Sequence, residues 1–338
     1  MKTQRFKFKH NLKRILKYIL PIKLWLFLQT IHTHVNAAVK RQQIIALIPS
    51  LLPLESKHFP QYIVSLTSYG KRLTDTAPFA IITILHQTVK PDKIVLWVAN
   101  EDKENIPHVM KKLTEKGLEI RFCKDIKSYK KLIPALDSFP EDYIITADDD
   151  IFYPQNWFEQ LVVEHKNNPH KIICHRAHRI KVGEDHNPIP YNKWIHNINQ
   201  NNYSASTSQK QSVTPCRFEN VFPTGGAGIL YPPKCFHKDI KNEELFMGLA
   251  PYADDIWFWA MAIINKEYFG GESPYIVVEN GYSQNLSLIN PKQEKSKNTL
   301  ISYNLAQNGN DKQLKMVIER YPQIRDALKK LNTVDSFI

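Results

Sequence analysis

The stretch on which the reading of this chain turns is YIITADDDIFYP, Tyr143–Pro154. A strand-like run, Tyr143–Ala147, leads straight into three carboxylates, Asp148, Asp149 and Asp150, and then into an isoleucine, two aromatics and a proline. Side chains alternate along extended backbone, so Asp148 and Asp150 are expected on one side and Asp149 on the other. Two carboxylates on one face repel each other unless a cation lies between them. A hard divalent ion resolves the conflict, because Mg²⁺ and Mn²⁺ take one or two carboxylates and complete their shell with phosphate oxygens. Asp148 and Asp150 are therefore candidate ligands of a Mn²⁺ or Mg²⁺ that in turn holds a diphosphate. The same residues could also be a solvated acidic turn that caps the following helix.

Working outward, strands and helices alternate. YIVSLTS (62–68) is a first strand, APFAIITILHQT (77–88) a helix, and KIVLWVAN (93–100) a second strand whose near-continuous apolar run suits burial on both faces of a parallel sheet. IPHVMKKLTEKG (106–117) reads as a helix stopped by Gly117, LEIRFCKD (118–125) as a third strand, and SYKKLIPALDSFP as a helix or turn before the fourth strand, YIITA. This spacing predicts an α/β fold with a mostly parallel sheet flanked by helices. The three acids then lie just past the carboxyl end of a strand, where open α/β sheets bind ligands. Downstream, NWFEQLVVEHK (156–166) is a helix, the polar, Asn/Ser-rich residues 181–215 a long loop or lid, and PTGGAG (223–228) a tight glycine loop. YADDIWFWAMAII opens a further helix, PYIVVEN (274–280) is a late strand, and the chain closes in helical segments around Pro322.

Two rival uses of the acids fail or fit badly. An EF-hand loop starting at Asp148 would need an oxygen ligand and a glycine where Phe152 and Tyr153 stand. A dehalogenase-type phosphatase carries D-x-D-x-T after its first strand, whereas here the fifth position is Phe152 and the strand is the fourth.

The formal charge of +12 is unevenly placed. Residues 1–54 hold ten Lys/Arg and no acid, which leaves 45 − 10 = 35 basic against 33 acidic residues in the remainder. The arm, RILKYILPIKLWLFLQTI, is interrupted by Lys17, Pro21 and Lys23, too often for a spanning helix of about 20 apolar residues. It lacks a small-residue cleavage site, so a signal peptide is not expected. Apolar and aromatic side chains mixed with cations suit an interfacial segment on anionic lipid, or a basic helix packed on the body or on a partner. The rest of the chain offers no basic stripe, and nucleic acid is not an expected partner. Four scattered cysteines without C-x-x-C pairing fit a reducing compartment.

Taken together, VSLTSYGKRL, TILHQTVKPDKIVLWVA, KSYKKLIPAL, YIITADDDIFYP, FPTGGAGILYPP and YADDIWFWAMA resemble, in this order and over about residues 60–280, the nucleotide-sugar glycosyltransferases of the GT-A fold. The likeness is greatest to family 2-like bacterial transferases that build lipopolysaccharide or capsule. The resemblance implies that Thr67, Ser68, Tyr69 and Arg72 line a uridine pocket and reach toward the diphosphate, with Lys130 and Lys131 at ribose or phosphate. Asp148 and Asp150 would be the D-x-D metal ligands, and Asp148 and Asp149 would also contact the nucleotide-sugar. Gly225, Gly226 and Gly228 would let backbone approach the donor sugar. Asp255 would be the general base that deprotonates the acceptor hydroxyl and Asp254 an acceptor-positioning group, which implies inverting transfer of a hexosyl or N-acetylhexosaminyl group from a UDP-sugar. On local sequence alone the first-strand residues could be a simple Ser/Gly turn, the acids of YADDIW a helix cap and the glycines a turn device.

Cys174, His175 and His178 in CHRAH lack a partner pair at zinc spacing, so an acceptor pocket or a satisfied core is expected. His237, after the glycine loop, is an unpromising late metal ligand beside Pro232-Pro233. The expected organisation is a basic membrane-associating arm and linker (1–58), a transferase domain (59–285) and a C-terminal helical extension (286–338), held peripherally at the cytoplasmic membrane face, with a glycan or glycolipid as acceptor. A nucleotidyltransferase, a D-x-D phosphatase and a non-catalytic membrane-associated module are the competing functions.

Overall fold

The computed structural model describes residues 22–56, 58–198, 220–278, 281–282, 286–290 and 308–328, with the side chains of 22–32 left aside. The start of the basic arm, most of the polar loop from 199 onward and parts of the C-terminal region lie outside the described residues. Helix α1 (Ile22–Ile45) leads into β1 (Tyr62–Thr67), α2 (Arg72–Asp75), α3 (Ala77–Leu85), β2 (Lys93–Ala99), α4 (His108–Thr114) and β3 (Leu118–Cys123). Then come α5 (Ile133–Ser138), β4 (Tyr143–Ala147), β5 (Ile151–Phe152), α6 (Trp157–Asn167), β6 (Ile172–Cys174), β7 (Ala177–Arg179) and β8 (Ile195–Ile198). The chain continues through β9 (Val221–Pro223), β10 (Ile229–Tyr231), α7 (Glu243–Leu249), α8 (Asp254–Ile263), β11 (Tyr275–Val277), β12 (Ser287–Leu288) and α9 (Gly309–Arg320).

Seven strands form the central sheet in the order β11-β6-β10-β4-β1-β2-β3. β1 runs parallel to β2 and β4, and β2 parallel to β3; β10 alone is antiparallel, wedged between β4 and β6. The apolar runs explain the burial on both faces. Ile63, Val95 and Ile144 enter one core with α8 and α9, while Val64, Ile94 and Ile145 enter the other with α3, α4 and α6. α9 belongs to the body: Leu314, Val317 and Ile318 are buried in the same core as α8. A small antiparallel sheet, β8-β7-β9, includes residues expected to be loop, because Ile195–Ile198 pairs with Ala177–Arg179. β5 pairs with β12 beside the acids.

The second half of α1 packs on α3, with Ile44 beside Ala80, while Lys40 and Arg41 reach Phe152 and Ile289; this is the alternative of a helix packed on the body that the sequence left open for this part of the arm. No helix among the described residues is long and apolar enough to cross a membrane.

Candidate active site

The sheet delivers the carboxyl ends of β1 and β4 to one edge. β10, being antiparallel, delivers to that edge the glycine turn that precedes it. Residues 149 and 150 form a turn, so the alternation expected for extended chain breaks after Asp148 and the acids fan out instead. Asp149 turns inward, almost fully buried, to accept from Ser68 Oγ at 2.6 Å and from Arg72 Nε at 3.0 Å, with Arg72 Nη2 as a further partner. Asp150 Oδ2 lies 2.8 Å from Arg72 Nη2. Asp148 faces the other way, 3.2 Å from Lys131 Nζ. Asp148 and Asp150 thus do not converge as the strand geometry implied; each has its own cation.

Lys131 joins two acid sites. Its buried ammonium lies 3.2 Å from Asp148 Oδ1 and 3.0 Å from Asp254 Oδ2, the latter an ion pair without hydrogen-bond alignment. The backbone behind it is fixed, because Ser65 Oγ in β1 donates to the Lys131 carbonyl at 2.7 Å and Trp97 Nε1 in β2 donates to Ser65 Oγ at 2.9 Å. Burial disfavours its charge, but Asp148, Asp254 and Asp255 outweigh that and hold it protonated. Burial alone would raise the Asp148 carboxyl; Lys131, Arg72 and Arg176 hold it below its ordinary value.

Asp254 and Asp255 form the first turn of α8, whose N-cap position is Ala253 and has no side-chain cap bond. Asp255 accepts from the Gly225 N–H at 3.1 Å. Burial, followed by the charges of Asp254 and Asp148 and against the pull of Lys131, pushes its carboxyl up to about 7. α8 is held rigidly: Trp257 Nε1 donates to the Ile240 carbonyl and Trp259 Nε1 to the Val221 carbonyl in β9, the strand that leads into the glycine turn.

The turn Gly225–Ala227 threads between these groups. A Cβ on Gly225 would lie 2.9 Å from Asp255 Oδ1 and 3.0 Å from Lys131 Nζ. One on Gly226 would lie 3.0 Å from Arg176 Nη2 and 3.2 Å from Asp148 Oδ2. Tyr153 fastens turn to strand, its hydroxyl accepting from the Asp148 N–H at 2.7 Å, with the Asp148 and Gly226 carbonyls at 3.3 and 3.4 Å as acceptors in reach.

Of the expected uridine-pocket residues, Thr67 donates to the Trp97 carbonyl, Ser68 and Arg72 are committed to Asp149, and Tyr69 presents an exposed ring. Arg72 therefore stands as the counter-ion of the acid turn. Lys130 is buried on Asp125, facing away from the acids that Lys131 meets. His175 is bonded to the Trp157 carbonyl and His178 packs against Tyr191 and His196; burial pushes both imidazoles down, to about 4 and about 3. His237 takes an N-cap role on the Asp239 N–H. Arg176, between the two histidines, went unremarked in the sequence. Its Nε donates to Thr224 Oγ1 at 2.6 Å, and its Nη1 and Nη2 make no hydrogen bond among the described residues. Its only signal was its place in CHRAH, where His and Cys drew the reading.

Among the described residues no group of three or more His, Cys, Asp or Glu is placed to hold an ion. Asp148 and Asp150, although paired to separate cations, are the carboxylates that a phosphate-bound Mg²⁺ or Mn²⁺ would use here. Burial, with Asp149 and Asp148 beside it and against Arg72, pushes Asp150 up to about 6, a local surplus of negative charge that a cation would relieve.

Residues 71–218 match the model of glycosyl transferase family 2. The match takes in Arg72, Lys131, the three acids and Arg176, and ends before the glycine turn and α8. This segment is thus similar to family 2 glycosyltransferases and lies on an α/β fold with a mostly parallel sheet. No curated protein matches the sequence. Among solved structures, a 4-diphosphocytidyl-2C-methyl-D-erythritol synthase from Anaerococcus prevotii is 13% identical, covering 74% of this chain and 97% of that one at a TM-score of 0.37. TarS 1-349 of S. aureus in complex with UDP is 10% identical over 65% of this chain at a TM-score of 0.39, and the chain spans 58% of that fragment's length.

Proposed function

We propose that this chain transfers a sugar from a nucleoside diphosphate-sugar, with UDP the first nucleotide to test, to a hydroxyl of a glycan or glycolipid acceptor, with inversion. One observation carries the reading: Lys131 ties Asp148, at the donor-side acid turn, to Asp254, at the head of α8, so that a metal-type acid site and a base-type acid site share one cleft edge.

The roles follow from the environments. Asp255 has a carboxyl raised toward neutrality and an N–H of Gly225 to orient it, as a general base requires. It takes the acceptor's proton as the acceptor oxygen forms its bond to the anomeric carbon. The bond from that carbon to the diphosphate oxygen breaks in the same displacement, and its electron pair leaves with the diphosphate. Asp254, held at the head of α8 by its ion pair with Lys131, would help to place the acceptor beside Asp255. Arg176, with unbonded terminal nitrogens beside Asp148, faces the developing negative charge. Asp148 and Asp150 would hold Mn²⁺ or Mg²⁺, whose charge offsets that of the departing diphosphate.

The sugar is a hexosyl or N-acetylhexosaminyl group in this reading, and the acceptor is a lipid-linked precursor of surface polysaccharide. The basic arm, whose first residues concentrate cations and apolar side chains, would keep the enzyme peripherally at the inner membrane face.

The test is calorimetric titration of UDP, GDP, CMP and ADP, each with Mn²⁺ and with EDTA, into the wild type and Asp150→Ala. Binding of one nucleotide that needs the metal and is lost in the variant supports the reading. A folded wild type that binds none of the four sinks it.

A further inference from the structure

The proposed chemistry gives α1 no task, yet α1 reaches the acid turn. Arg41 Nη1 donates to the Ile289 carbonyl at 2.7 Å, and the N–H of that same Ile289 donates to the Asp150 carbonyl at 2.8 Å. One turn of α1 thus grips one side of a peptide whose other side holds Asp150. Beside it, Lys40 Nζ lies 4.5 Å over the ring of Phe152, two residues beyond Asp150. Phe152 and Ile289 are buried with Ala80 in a small cluster of their own, which Ile44 and Phe79 complete.

The segment so gripped is also held by Ser68, Arg72 and the Tyr153 contacts, but its strand pairing is slight. β5 and β12 are each two residues long, paired only as Phe152 with Ser287 and Ile151 with Leu288. Such a ribbon is marginal without packing from outside. The packing comes from α1 and α3.

We propose that Arg41, assisted by Lys40, is a positioning residue for the acid turn: through Ile289 it sets the backbone of Asp150, so that the hold of the basic arm on the body governs the donor site. The inference deepens the glycosyltransferase reading and rests on it for its functional consequence; the mechanical link from Arg41 to Asp150 stands apart from that reading.

The experiment uses the full chain as wild type, Arg41→Ala, Arg41→Lys and Gln42→Ala, the last an exposed neighbour on the same helix. Hydrogen–deuterium exchange is followed in peptides covering 148–153 and 286–290, UDP affinity in Mn²⁺ by calorimetry, and folding by thermal melting. Arg41→Ala is expected to exchange faster in both peptides and to bind UDP about five- to tenfold more weakly, less than a charged hydrogen bond to UDP itself would give, because Arg41 acts through Ile289. Its melting temperature should stay near that of Gln42→Ala, and Arg41→Lys should recover part of the affinity. Unchanged exchange at 148–153 in a folded Arg41→Ala overturns the inference, as does unchanged UDP affinity where the wild type binds. Should Arg41→Ala not fold, Arg41→Gln is measured in the same way and the same outcomes decide. A wild type that binds no nucleotide refutes the parent reading alone, because the exchange result still judges the link.

Discussion

Lys131 carries more of this site than any other side chain, and it does so as a counter-ion. Replacing it with Met would strand Asp148 and Asp254 without their shared cation, at a cost of about 3–5 kcal/mol. Thermal melting should fall by about 4–7 °C, and a variant melting with the wild type would show that the bridge is not formed. Asp255 should behave in the opposite way. Asp255→Asn is expected to lose turnover by about 10²–10⁴-fold while binding nucleotide as before. Because the base acts deprotonated and titrates near 7, kcat/KM should rise with pH through about 7. A flat profile across that range would remove Asp255 from the role. Stability carries the reverse sign. A carboxyl raised above its ordinary value stabilises the fold at low pH, and that contribution is lost as pH climbs through about 7. The Asn variant should therefore melt above the wild type at alkaline pH and lose that advantage in acid. These acids were visible in the sequence as types and positions, but their partners were not. Alternation along a strand predicted that Asp148 and Asp150 would share a face; a turn at 149–150 hands one to Lys131 and the other to Arg72. Arg176 was hidden for a related reason: a lone arginine has no pattern until Thr224, far along the chain, is folded against it.

At the scale of elements, legibility followed length and periodicity. β1 to β4 stand close to where their apolar runs place them, because burial on both faces writes an unbroken apolar word. β7, β9 and β10, three residues each, are too short to show alternation, and β8 lay within a polar stretch that read as loop. The glycine loop was recognised, but the antiparallel strand it serves was not. Its last glycine is the most constrained: Gly228 has φ +102, and a Cβ there would lie 2.6 Å from the buried ring of Trp157. That ring is itself pinned by its Nε1 bond to the Ala227 carbonyl at 2.7 Å. Gly228→Ala should cost about 2–4 kcal/mol, read by denaturant unfolding, with Gly70→Ala as a control that strains the backbone where a Cβ has no neighbour within 4 Å. Equal losses in the two would mean that the Trp157 contact contributes nothing.

For the molecule as a whole, the charge that the sequence concentrates in residues 1–54 divides in the structure. Lys40 and Arg41 are turned to the body, and the other eight of the ten cations precede them. At the cleft, no group of three or more metal-ligating side chains is assembled among the described residues, and Asp148 and Asp150 each face a different cation. Mn²⁺ alone should therefore bind weakly and tighten with a nucleoside diphosphate present, and EDTA should release the nucleotide; equally tight metal binding with and without nucleotide would point to a ligand set other than Asp148 and Asp150.

The order of strands along the sheet has a consequence for birth on the ribosome. Residues 62–147 alone supply four adjacent strands, β4-β1-β2-β3, all parallel and contiguous in sequence. They emerge after α1 and carry Lys131, with Asp148 following directly on β4. The wedge strand, the glycine turn and α8 are synthesised roughly a hundred residues later, and only then does Asp254 arrive to close the Lys131 bridge. On the mechanism proposed above, a chain that stops before Asp254 would hold the three acids without Asp255, the proposed base.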